Sequence, residues 1–212
     1  WPEEEETFPL SFREYCEFKD IKTDSWLESD IAKLRNAFFD YNNEGGFPEV
    51  VLTQNPLQKA RILQTYFDTM LLRDLVEHYG LSNIEVLRYY LKRIMANLTK
   101  PTSIRAIHND IKSRGLKVSK DDLYDWASHA CDIFMFIRIA NYSKSLQKIE
   151  NSQPKYYCID NGLRDAVLLP QSDDDGKKLE NTVFLQLYRR RTPIDQIYYY
   201  QGKGECDFVV QR

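Results

Sequence analysis

The sequence predicts a mainly helical α+β chain in three consecutive parts, and three observations support this. Apolar residues recur at helical spacing through residues 11–98. Two more amphipathic helices, within 103–132, are followed by two short apolar runs separated by a polar loop. The chain then closes on one helix and a β-hairpin. These changes of pattern place the boundaries at 1–83, 84–160 and 161–212.

Ser11 with Glu14 has the spacing of a capping box and starts a short helix through Phe18. A second helix fits residues 25–39, where Leu27, Ile31, Leu34 and Phe38 share a face, and the run Tyr41 to Gly46 breaks it. A long helix follows from Leu57 to Tyr79 with Leu63, Tyr66, Phe67, Met70 and Leu71 inward, ended by Gly80. Ile84 to Leu98 carries the stripe Leu87, Leu91, Ile94 and Leu98.

Ser103 opens a helix with Ile104, Ile107 and Ile111 inward, stopped by Gly115. Ser119, with Asp122 at the box position, opens the next, with Leu123, Trp126, Ala127 and Ala130 inward. The apolar runs Phe134 to Ile139 and Tyr156 to Ile159 flank a polar loop, Asn141 to Pro154. Helix, turn, helix and two-stranded ribbon is the order of a winged helix. Beyond Asp160-Asn161-Gly162 comes a polar segment, Gln171 to Gly176. A helix from Lys178 to Arg190 then buries Leu179, Val183, Phe184 and Leu187. Ile197 to Gln201 and Cys206 to Val210 are joined around Gly202-Lys203-Gly204 as a hairpin. One helix on one hairpin covers a sheet face poorly, so this last unit reads as incomplete.

At 212 residues, with 42% hydrophobic and 29% charged residues and a net charge of −3, the chain is neither a disordered polyelectrolyte nor a uniformly basic nucleic-acid binder. No apolar stretch approaches the roughly 18 residues of a bilayer span. Trp1-Pro2 followed by four glutamates is unlike a cationic leader, so the expected location is cytoplasmic, with no membrane partner. Cys16, Cys131, Cys158 and Cys206 are far apart, and His78, His108 and His129 lack ligand spacing, which argues against zinc. Charge is segregated: −8 over residues 1–50, balanced over 51–83, +6 over 84–148 and −1 over 149–212.

PLSFREY at 9–15, GGFPEVVL at 45–52, YFDTMLLRDLVEHYG at 66–80, PKYYCIDNGL at 154–163, GKKLENTVF at 176–184 and GECDFVV at 204–210 together resemble a large bacterial and archaeal family of AAA-type ATPases. The resemblance implies a helical lid in residues 1–83, a winged helix, and a partial domain of unknown function related to restriction-endonuclease-like nucleases. It also implies that the P-loop domain lies outside this chain. Neither Gly176-Lys177 nor Gly202-Lys203 sits in a G-x-x-x-x-G-K-[ST] loop, so this chain alone is expected not to bind or hydrolyse ATP. ATP and Mg²⁺ are then cofactors of the full-length protein only, and oligomers would form through the absent ATPase domain.

The same resemblance marks Gly45, Gly46 and Pro48 as an element placed near a nucleotide, against the plainer reading of a tight turn that ends one helix and starts the next. It makes Arg73 a candidate phosphate ligand across a subunit boundary, against the plainer reading of an ion pair with Asp74. In the terminal unit it implies Glu180 and Asp207 at the catalytic and metal-binding carboxylate positions, with Glu205 beside them; the unit is read as an inactive nuclease scaffold, with a metal-dependent nuclease as the alternative. From the residues themselves, Arg105, Lys112, Arg114, Lys117 and Lys120, with Lys144 and Lys148 on the wing, are the expected contacts to duplex phosphates. Asp121, Asp122, Asp125 and Asp132 on the second helix oppose base readout and leave a protein partner as the competing expectation.

Overall fold

The computed structural model describes residues 6–168 and 174–212, and it is an α+β structure that is mainly helical. Helix α1 (Phe12–Phe18) starts at Ser11, whose hydroxyl accepts the Glu14 N–H while the Glu14 carboxylate accepts the Ser11 N–H. Helix α2 (Glu28–Glu44) starts and ends later than its periodicity predicts. It runs on through Asn42 and Asn43 because these amides find distant partners: Asn42 accepts from Asn161 and Thr182, and Asn43 from Lys178. Gly45, at φ 82°, ends it, and Pro48 opens the short α3 (Pro48–Leu52).

Helix α4 (Pro56–Thr69) is capped by Asn55 and passes without a break into a π-helical stretch, Met70–Glu77. Leu63, Phe67, Leu71 and Leu75 are all buried along it. A spacing of four residues drifts around an ordinary α-helix, and the wider π turns keep the stripe aimed at the core. Helices α5 (Ile84–Ala96), α6 (Ile104–Ser113) and α7 (Lys120–Asp132) form the bulk of that core, and the Tyr90 hydroxyl inside it donates to the Leu123 carbonyl at 2.7 Å. Ser103 and Ser119 cap α6 and α7 as expected.

Strand β1 (Phe136–Ile139) starts after Phe134, which turns the chain at φ 59°. The loop beyond it holds a one-turn helix, α8 (Leu146–Glu150), which its polar composition does not predict. Strand β2 (Lys155–Cys158) pairs antiparallel with β1, with Phe136 opposite Cys158 and Ile139 opposite Lys155. Alternate residues of this ribbon serve two cores. Phe136, Tyr156 and Cys158 face the helices, while Ile137, Ile139 and Tyr157 join Phe184, Leu185 and Tyr199. Lys155, two residues before Tyr157, therefore lies on the second face.

Helix α9 (Asn161–Val167) follows at once and packs on α2 and α4. Helix α10 (Asp174–Arg189) starts within the expected polar segment, of which residues 171–173 lie outside the described residues. Its expected apolar face is corrected: Leu179 and Val183 are 47% and 42% exposed, whereas Lys178, Asn181, Thr182 and Phe184 are buried. The helix turns a polar face inward because the surface it meets, around Asn42 and Asn161, is polar. Strands β3 (Gln196–Gln201) and β4 (Glu205–Gln211) form the hairpin, with a bulge on β4 opposite Tyr199. Tyr199 donates to the Ala140 carbonyl at 3.1 Å and accepts from the Tyr142 N–H at 2.6 Å, which joins the two ribbons in the order β2, β1, β3, β4. Among the described residues no helix is long and apolar enough to cross a membrane.

Candidate functional site

Three elements meet at Lys155. The residue is 3% exposed on the inner face of β2, and its Nζ lies 3.2 Å from Glu180 Oε1 of α10 and 3.3 Å from Asp207 Oδ1 of β4. The Tyr157 hydroxyl donates to the same Glu180 oxygen at 2.9 Å, and burial pushes that phenol far above its ordinary value. The Tyr199 ring lies 5.3 Å from the ammonium. The bulge lets Asp207 reach Lys155 while the neighbouring Phe208 packs near Tyr157 and Phe184.

Glu180 and Asp207, which the resemblance pairs as metal-binding carboxylates, both contact an ammonium. A divalent cation does not fit this arrangement: the space between the carboxylates is filled by a fixed positive charge, and no three Asp, Glu, His or Cys among the described residues are grouped to hold a metal. Glu205 sits exposed at the start of β4 and takes no part. Lys155 and Tyr157 stand outside the residues that sequence patterns mark as functional. A lysine opening an otherwise apolar strand is the only signal that marks them, and it gives no hint of its two partners.

The glycine element is a tight turn between α2 and α3. A Cβ on Gly45 would stand 2.0 Å from Asp160 Oδ1, and the Gly46 N–H donates to Asp160 Oδ2 at 2.6 Å, so the glycines admit a carboxylate of this chain and leave no room for a phosphate. Asp160 also accepts the Leu163 N–H, and burial raises its carboxyl to about 6 despite these donors. Pro48 is the exposed first residue of α3. Arg73 is 70% exposed and pairs with Asp74 at 2.6 Å, the plainer of its two readings.

The basic residues lie where an external partner reaches them. Arg105, Lys112, Lys117 and Lys120 are exposed on α6, the turn after it and the first position of α7, and none forms an ion pair among the described residues. Arg114 is partly engaged, 3.7 Å from Asp110 and stacked 4.6 Å from the Tyr89 ring. The Tyr89 hydroxyl, with Arg93 and Arg114, holds Asp110 below the ordinary carboxylate range. On α7 the carboxylates Asp121, Asp122, Asp125 and Asp132 are exposed in their turn. His129 stacks on Tyr79 at 3.7 Å and His108 contacts the Val118 carbonyl, both packing roles.

A family model described as a domain of unknown function, DUF8612, matches residues 35–174. An uncharacterized protein of Methanocaldococcus jannaschii, MJ1544, is 32% identical over 97% of this chain and 46% of its own length. An uncharacterized protein of Haemophilus influenzae is 28% identical over 97% of this chain and 49% of its own. The chain spans about half the length of these curated relatives. No solved structure matches it. The comparisons return no AAA or ATPase family, which overturns the resemblance drawn from the short blocks. The structure gives those blocks another reason to exist: PLSFREY is a helix cap, GGFPE and IDNG interlock through Asp160, and KKLEN supplies the buried polar face of α10.

Proposed function

The chain belongs to this family of unknown function, and from its own geometry we propose that it binds the phosphate backbone of double-stranded nucleic acid through α6 and the turn before α7, without reading bases. The observation that carries this reading is the division of charge between two adjacent helices. Cations free of ion pairs among the described residues line α6, its turn and the first residue of α7, Lys120, while the rest of α7 exposes four carboxylates. The order α5, α6, α7, β1, β2 is that of a winged helix, in which the helix at the position of α7 enters the major groove. A carboxylate-rich helix is repelled there by phosphates and offers base edges acceptors alone, which suit just the amino donors of cytosine and adenine. Backbone contact through α6, the turn, Lys144 and Lys148 needs no such insertion, and the +6 of residues 84–148 supplies the attraction.

The test is the salt dependence of binding to a duplex. Replacing Lys112, Lys117 and Lys120 together by Ala is expected to weaken binding and to flatten the slope of log K against log salt by between two and three, at roughly 0.9 per phosphate contact. An unchanged slope would assign these lysines to solvent. A metal-dependent nuclease is favoured by one observation, the convergence of Glu180 and Asp207. It is not adopted, because Lys155 already compensates both carboxylates.

A further inference from the structure

Helix α10 runs into three consecutive arginines, Arg189, Arg190 and Arg191, at a helix C-terminus where backbone carbonyls favour cations. Arg189 and Arg191 line a cavity of about 500 Å³ with Glu6, Phe8, Thr192 and Pro193. Both side chains are fixed from behind. Arg189 donates to the Pro9 carbonyl at 2.5 Å and lies 5.1 Å from the Phe8 ring centre. Arg191 stacks 3.4 Å from the Tyr188 ring centre and donates to the Tyr188 carbonyl at 2.8 Å. Two guanidinium forks held in this way have given up their side-chain freedom before any ligand arrives.

The cavity is short of acceptors. Among its lining residues Glu6 is the one carboxylate, and both its oxygens are spent on a single nitrogen of Arg191, at 2.9 and 2.8 Å. Arg189 Nε is buried with no hydrogen-bond partner among the described residues, and the ion pair of Arg189 with Glu14 spans 3.8 Å. The Arg189 guanidinium therefore keeps donor capacity that the chain does not use.

We propose that Arg189 and Arg191 form a binding site for a phosphate group and that Glu6 is its exchangeable occupant from within the chain. A phosphate carries enough oxygens to serve Arg189 and Arg191 at once, whereas the two oxygens of Glu6 reach Arg191 alone. The group is supplied either by a small phosphate or by a nucleic-acid backbone, whose chemistry at the site is the same. The site lies on α10, apart from the α6 lysines, and does not depend on the reading argued from them.

Isothermal titration with inorganic phosphate at matched ionic strength tests the proposal, with a DNA duplex as the second probe. Glu6→Gln removes the competitor and keeps the shape. It is expected to tighten phosphate binding about threefold to fivefold, the range of an exposed ion pair. Adding Arg191→Ala to that variant is expected to lose at least about tenfold, since a charge-assisted fork is removed. A gain in the duplex arm as well assigns the phosphate to a polymer backbone, and a gain confined to inorganic phosphate assigns it to a small ligand. No gain from Glu6→Gln with either probe overturns the proposal. Glu6→Gln touches only a surface pair, so it decides the matter even where Arg191→Ala unfolds.

Discussion

Asp160 sits where the α2–α3 turn, the end of β2 and α9 close on one another. It caps α9 through the Leu163 N–H and holds the turn through the Gly46 N–H, and a Cβ on Gly162 would stand 2.1 Å from the Glu44 carbonyl. Such a carboxylate is legible in sequence only as half of a turn signal, Asp-Asn-Gly, because its other partners lie more than a hundred residues away. Burial raises its pKa from 3.8 to about 6, so the folded state holds a proton that the unfolded chain releases. The stabilisation from that proton is complete below about pH 4 and is lost as pH rises through about 6, a decline of about 3 kcal/mol from this group alone. Urea unfolding between pH 4 and 7 is expected to show a fall in stability in the native chain that Asp160→Asn lacks. Parallel curves for the two would contradict the raised pKa.

At the scale of elements, helix positions follow from apolar periodicity and caps, as α1, α6 and α7 show, and fail where polar groups are the partners. Helix α10 is the instructive case. Its apolar pattern aims Leu179 and Val183 inward, yet Asn181 occupies the core, accepting the Cys158 N–H and donating to the Cys158 carbonyl, both at 2.9 Å. An asparagine that completes the backbone hydrogen bonds of a strand carries no signature in a single sequence, and neither does the Lys155 junction beside it. Asn181→Ala leaves a buried donor and acceptor unpaired and is expected to cost about 2–4 kcal/mol, while Leu179→Ala, half exposed, is expected to stay within about 1 kcal/mol. Urea midpoints of the two variants check this. Equal losses would show that the helix buries its apolar face after all.

Across the whole molecule, the charge division read from composition survives folding, because lysines and arginines of residues 84–148 stay at the surface where hydration favours them. The family is less legible. Blocks short enough to resemble an ATPase family are here caps and interlocking turns, requirements of the fold that carry no information about a bound nucleotide. The central claim is backbone binding without base readout. It is tested most directly by measuring affinity against salt for two duplexes of unrelated sequence. The expected result is two superimposed lines of steep negative slope, within about threefold at every salt concentration. Lines separated by a thousandfold or more, or no binding at the lowest salt, would contradict it.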